Sequence, residues 1–400
     1  MSSTRRQIAF FSPLPPERSG IADYSAELLP YLARWVDMTL FAARPDRVAD
    51  SLRERFPVRD IAEYSATRWR YDVALHQMGA SMYHDAMYAV LLRYGGIIVL
   101  HEHNLHQFIA TRTIGAQQSF AGYERELGYA LGVDGVRMAI EISQGRREHP
   151  FAEVPLAERL LDRSQGLILH SRFTQRQVQS LRPRLWTTVI PAPIEGPSEP
   201  PLSRRELGCP EDALIFVSGG QVIRSKQLEL ALEAFARLRE EYPAARYVVV
   251  GDALKHDLDL AAWLADRNLG DAVIYAGYCE DLRTFRSWIA AADVLVNLRY
   301  PTAGETSATA LRGLAAGRPV IVSDHGWYAE LPDDACVKVP PNDGEALLAA
   351  MRRLARDPGL RATLSAQAAA YAREEHAPAR AGERYAAFIE QILTDVQAAS

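Results

Sequence analysis

Short apolar runs alternate with amphipathic stretches along almost the whole chain. In the first half Gln7–Phe11 reads as a buried strand, 21–32 as a helix and 36–41 as a second strand. Residues 72–76, 97–100 and 166–169 read as further strands, with a helical stretch at 156–163 before the last of them. Strands alternating with helical patterns predict a parallel sheet with helices on both faces, since parallel neighbours need long crossovers. The alternation stops at 191–201, PAPIEGPSEPP, where five prolines in eleven residues exclude a helix or a central strand. That stretch predicts a Pro-rich hinge over 191–203.

Beyond the hinge the same rhythm restarts. Residues 214–218, 246–250, 273–276, 294–298 and 319–322 read as strands. Helical patterns at 228–240, 258–267, 282–291 and 307–316 separate them, the last closed by Gly317. From residue 344 the chain is rich in Ala, Arg and Glu and reads as helical to its end. The expected organisation is an α/β domain at 1–190, a second at 204–377, and a terminal helix at 378–400.

Bulk properties narrow the class. A length of 400 residues suits two domains better than one core. A formal net charge of -5 argues against nucleic acid as a partner, though a local basic pocket for a diphosphate remains compatible with it. Cys209, Cys279 and Cys336 are far apart, with no paired ligand spacing, which points to a reducing, cytoplasmic setting. Two arginines and a very short apolar run at the N-terminus do not make a signal peptide, and the longest apolar stretches are strand-sized. No transmembrane segment is expected; contact of an amphipathic helix with a membrane surface stays open.

Three regions at expected strand ends carry unusual chemistry, and such ends are where open parallel sheets bind ligands. In 12–23, SPLPPERSGIAD, Gly20 falls at the turn into a helix, where backbone can approach an anion closely. The plainer reading is a tight strand-to-helix turn. In 100–106, LHEHNLH, three histidines follow a strand; their spacing fits no standard zinc set. A neutral imidazole there can donate to a substrate hydroxyl, and His101, nearest the strand, is the first candidate, the others serving as caps or facing solvent. In the second half Arg224 and Lys226 follow Gly219-Gly220 after a strand, placing two cations for a diphosphate. Gly304, Glu305, Thr306 and Ser307 open the next helix; the hydroxyls can cap it, or its amides can hold phosphate while Glu305 accepts from sugar hydroxyls. No G-x-G-x-x-G follows the first strand, which disfavours a dinucleotide oxidoreductase.

These stretches together resemble a known group. PPERSGIADYSAELLPYLAR (15–34), VLHEHN (99–104), SGGQVIRSKQLELALEAFARL (218–238) and AADVLVNLRYPTAGETSATALRGLAAGRPVIVSDHGWYAEL (291–331) are similar to the retaining GT-B glycosyltransferases of the large family 4-like group. That group includes bacterial mannosyl-, glucosyl- and N-acetylglucosaminyltransferases. The resemblance implies two Rossmann-like doubly wound domains facing across a cleft, the first on the acceptor side and the second holding the nucleotide sugar. The terminal helix would pack back on the first domain. It further implies His101 and Glu305 as catalytic residues, and Gly20, Arg224, Lys226, Gly304, Thr306 and Ser307 as substrate-binding. A UDP- or GDP-linked sugar would be the co-substrate, with no cofactor and no metal; the acceptor would be a sugar or glycan, and the outcome retention, as in polysaccharide biosynthesis.

Two departures qualify this. The family's second glutamate, usually on the nucleotide ribose, aligns with Arg312, one residue closer to Glu305 than usual. Gln221 stands where the phosphate loop's arginine is expected, so Arg224 would take over its charge. A non-catalytic nucleotide-sugar-binding protein, or an epimerase or phosphorylase on the same fold, are therefore the alternatives.

Overall fold

The computed structural model describes residues 5–196, 200–252 and 259–399, with side chains described to 395. Part of the expected hinge, 197–199, and the first residue of the expected helix at 258–267 lie outside the described residues. Chain contacts group the structure into two compact units. Unit 1 comprises Met1–Pro193, Ala303–Thr306 and Pro378–Ser400; unit 2 comprises Ile194–Thr302 and Ser307–Ala377.

Unit 1 is built on seven parallel strands: β1 (Gln7–Phe11), β2 (Asp37–Ala42), β3 (Val58–Asp60), β4 (Val73–Met78), β5 (Gly96–Leu100), β6 (Ser164–Leu169) and β7 (Thr187–Val189). Their order is β3-β2-β1-β4-β5-β6-β7, so the winding reverses between β1 and β4, where Ala9 pairs with Thr39 on one side and Ala74 on the other. All of β4 and β5 is buried, as expected of central strands covered on both faces. The helices of at least seven residues are α1 (Gly20–Leu32), α2 (Asp85–Tyr94), α3 (Phe120–Leu131), α4 (Val133–Ser143), α5 (Arg172–Leu181) and α12 (Pro378–Ala399). Phe11, Tyr88, Phe108, Tyr123 and Leu167 belong to its core. The terminal helix lies on α1 and β6: the Tyr24 and Tyr385 hydroxyls are hydrogen-bonded, and Gly166 leaves room for Ile392.

Unit 2 carries six parallel strands: β8 (Ile215–Gly219), β9 (Arg246–Val250), β10 (Val273–Gly277), β11 (Val294–Asn297), β12 (Val320–Ser323) and β13 (Val337–Val339). They run in the order β10-β9-β8-β11-β12-β13, reversing between β8 and β11. Helices α6 (Leu228–Arg239), α7 (Leu260–Asp266), α8 (Leu282–Ala291), α9 (Ala308–Ala315), α10 (Gly344–Arg356) and α11 (Pro358–Glu375) complete it. Phe216, Phe235, Tyr247, Val294 and Leu348 belong to its core.

Both expected parallel sheets are present, with most strands within one or two residues of their expected bounds. The expected helix at 156–163 is not formed over that length. It is one turn, Glu158–Leu161, because Leu156 sits at φ 52, a left-handed conformation a helix cannot contain. Strands β3, β7 and β13 were not legible, since each is three residues long.

Candidate functional site

In unit 2 the carboxyl ends of β8 and β11 bring together cations that lie far apart in sequence. After β8 the chain turns at Gly220, whose φ of +88 favours glycine; a Cβ built there would lie 2.3 Å from Lys226 Nζ and displace that ammonium. A short 3-10 turn, Arg224–Lys226, follows. Lys226 Nζ is held by Gly219 O at 2.9 Å, whereas Arg224 is exposed. Ser225, between them, is fixed from β11: Arg299 Nη1 donates to its hydroxyl at 2.7 Å and Tyr300 N to its carbonyl at 2.7 Å. Arg299 is itself anchored through its backbone N to Ser323 Oγ at 2.9 Å. The half-buried Arg299 is thus a third cation held at this turn, beside Lys226 and the exposed Arg224.

Sequence reasoning passed over Arg299. An arginine immediately beyond a buried apolar strand, in VNLRY, was the available signal. Ser307 caps α9, its hydroxyl accepting from Ala310 N at 3.2 Å, so the capping reading holds for that residue. Thr306 does not share this role; its Oγ1 is buried without a hydrogen-bond partner. Arg312, on α9, is buried and lines a cavity of about 370 Å³ with Arg283, Arg286, Arg318 and Glu195, while Gln221 is exposed.

In unit 1 the ends of β4, β5 and β6 present a layer of histidines. His101 Nε2 lies 2.8 Å from Oε1 of fully buried Gln77, so Nε2 carries the proton and Nδ1 keeps the lone pair. Its ring stands edge-on to Tyr24 of α1 at 4.6 Å and beside His170 at 4.9 Å. Burial, then the neighbouring His170 and His84, hold its pKa well below the ordinary value. His101 is therefore a neutral hydrogen-bonding group at physiological pH and not an acid. His170 Nδ1 is 2.8 Å from Ile190 O. The pattern that pointed to His101, a strand running straight into a histidine, recurs at LILHS, 167–171, and could have found His170.

His103 is the histidine that the structure brings to Glu305. Its backbone N donates to Ala303 O at 2.9 Å, and its ring lies against Gly304, where an added Cβ would come within 2.3 Å of Nδ1. Gly304 adopts φ +91, and its carbonyl accepts from Thr174 Oγ1 at 2.7 Å. Glu305 Oε2 accepts from Ala303 N at 2.7 Å, which bends the segment into a tight turn. Burial pushes His103 down to about 4 against the opposing pull of the Glu305 carboxylate. Gly20 begins α1 beside Ser19, whose hydroxyl accepts from Ile21 N at 3.2 Å; a Cβ there would meet nothing within 4 Å. The open space at Gly20 means that packing does not require glycine at this position.

Residues 211–357 match the family described as Glycosyl transferases group 1. Among curated proteins, the chain is 29% identical over 170 residues to a lipopolysaccharide core biosynthesis glycosyltransferase, LpsD, of Rhizobium meliloti, covering 42% of this chain and 46% of that one. It is 34% identical over 143 residues to a D-inositol 3-phosphate glycosyltransferase of Stackebrandtia nassauensis, covering 32% and 30%. The chain spans less than half the length of each of these relatives. Among solved structures, HepE of Anabaena in complex with UDP and glucose superimposes with a TM-score of 0.67 at 16% identity, over 96% of this chain and 100% of that one. Sucrose-phosphate synthase of Thermosynechococcus elongatus gives 0.66 at 19%, over 99% and 100%. Among the described residues, no helix is long and apolar enough to cross a membrane. The chain therefore carries a glycosyl transferases group 1 domain in its second unit and has the GT-B fold of the glycosyltransferases it resembles.

Proposed function

We propose that the protein is a retaining glycosyltransferase that moves a hexose-type sugar from a UDP- or GDP-linked donor to a sugar or glycan acceptor. The observation that carries this reading is the pairing of Lys226 and Arg299 through Ser225 at the reversal point of the unit 2 sheet. Two fixed guanidinium and ammonium groups there suit the diphosphate that leaves the anomeric carbon. The leaving group gains negative charge as the glycosidic bond to phosphate breaks, and preorganised cations stabilise that charge more than they stabilise the ground state. In this assignment cationic side chains, not a metal, supply the counter-charge. HepE, crystallised with UDP and glucose, favours UDP as the base-bearing half.

Glu305 and His101 are assigned to the sugar. A carboxylate turned back on its own segment is a fixed acceptor for sugar hydroxyls, and the neutral His101 imidazole, its Nε2–H donating to Gln77, adds an acceptor at Nδ1 without adding charge. Retention is inferred from the resemblance. Glu305→Gln keeps the acceptor oxygen for Ala303 N but removes the charge, and should lower kcat about tenfold with unchanged thermal stability. Full activity in that variant would remove Glu305 from the chemistry.

The test of the function is thermal-shift screening against UDP, GDP, ADP and TDP and their sugars, followed by assay of donor consumption. A rise with one base and release of that nucleoside diphosphate with an acceptor is the expected result. Binding without consumption in the presence of any acceptor would instead establish the second reading, a sugar-nucleotide-binding protein, which Arg312, standing where the resemblance expects the ribose glutamate, favours.

A further inference from the structure

Unit 1 has its own cavity beside the reversal point of its sheet, and its lining has a consistent chemistry. About 190 Å³ in volume, it lies beyond β1 and β2, with walls from the loop after β1, the segment after β2 and the turn after β4. Crevices at the carboxyl ends of the two strands flanking such a reversal are the general ligand positions of open parallel sheets. Leu14, Val48 and Met87 make a buried apolar floor. Arg18, Arg44 and Arg47, all exposed, stand around it, with Glu17 the single carboxylate among the described lining residues. The phenol of Tyr83, 41% exposed, completes the wall.

We propose that this cavity takes the acceptor, and that the acceptor is a sugar carrying an acid group, phosphate or carboxylate; this rests on the transferase reading above. Three guanidiniums against one carboxylate leave an excess of positive charge in a chain whose overall charge is -5, so the site is basic against its background. Burial pushes the Glu17 carboxyl up, against the pull of Arg44. The apolar floor and the exposed Tyr83 favour an organic ring over a bare anion, since an aromatic face packs against the apolar face of a sugar. The volume lies below the roughly 300–1,000 Å³ of drug-sized sites and suits one ring-sized group. Guanidinium groups in pairs are suited to planar carboxylate and to phosphate alike.

The experiment is ligand-observed NMR titration of the full chain, saturated with UDP, using glucose 6-phosphate, glucuronate, glucose and inorganic phosphate as probes. At least one acid sugar should bind about tenfold more tightly than glucose and more tightly than inorganic phosphate. A preference for glucose 6-phosphate assigns phosphate as the acid group, and a preference for glucuronate assigns carboxylate. The double variant Arg44→Ala/Arg47→Ala should erase the preference over glucose while leaving UDP affinity unchanged, and 0.5 M salt should shrink it in the unmodified protein. Equal binding of acid and neutral sugars, inorganic phosphate matching the acid sugars, or a preference that survives in the double variant would overturn the proposal. Failure of UDP, GDP, ADP and TDP alike to bind would sink the transferase reading separately, because the acid-sugar titration can be read without nucleotide.

Discussion

Lys226→Ala should lower kcat/KM about a hundredfold and weaken nucleoside diphosphate binding, while the melting temperature moves by only a degree or two. The size of the loss follows from where the ammonium sits. It is half-buried, 2.9 Å from Gly219 O, on a turn that Arg299 and Tyr300 hold through Ser225. A charged hydrogen bond to phosphate is worth about 1.5–3 kcal/mol, and it strengthens as charge builds on the leaving oxygen, so about 3 kcal/mol is lost from the transition state. Each 1.4 kcal/mol is tenfold, which gives the hundredfold figure. The folded state loses little, since Lys226 is only half-buried and a neutral hydrogen bond to a carbonyl such as Gly219 O contributes about 1 kcal/mol net. Arg299→Ala should behave similarly in rate but also loosen the turn, whereas Arg224→Ala, an exposed side chain, should change kcat/KM less than threefold. Steady-state kinetics of the three variants with one donor would decide: equal losses at Arg224 and Lys226 would return the charge to Arg224, and near-normal rates at Lys226 and Arg299 would place the diphosphate elsewhere.

That ordering of arginines shows where sequence and structure part. The periodicity of apolar runs made both parallel sheets legible, since central strands such as β4, β5 and β8 are buried on both faces and so read as continuous hydrophobic runs. Edge strands of three half-buried residues carry no such run, and β3 and β7 were invisible for that reason. The helices α3 and α4 fell in a stretch that matched no recognised motif. Within the candidate site, residues beside one another in sequence were easy to gather: Arg224 with Lys226, and Gly304 with Glu305. Partners that meet only through the sheet order were not. Arg299 joins Ser225 because β11 pairs with β8, and Gln77 joins His101 because β4 pairs with β5. Likewise His103 meets Gly304 across about two hundred residues of chain, something no local spacing encodes.

The same histidine layer makes unit 1 sensitive to acid. His76 and His84 are fully buried, and burial holds their pKa values at about 3 and about 4, against an ordinary 6.5. His101 and His103 are shifted in the same direction. With folded pKa values below the unfolded ones, the unfolded chain binds more protons between about pH 4 and 6.5. Stability is therefore complete above pH 6.5 and falls as the pH drops through that window. At pH 5, one and a half units below the unfolded value, the loss is roughly 2 kcal/mol for each of His76 and His84, and His103 adds in the same sense. Against a total of about 5–15 kcal/mol for a folded domain, that is enough to unfold a marginal one. Amide hydrogen exchange of β4 and β5 should accelerate by at least a hundredfold between pH 7.5 and pH 5 after correction for intrinsic rates, and activity should disappear over the same range. His84→Gln, keeping a polar contact for Ser81, should flatten the dependence by about one proton. Protection in β4 and β5 that is equal at the two pH values would mean these imidazoles take up protons without unfolding, and the neutral state assigned to His101 would fall with it.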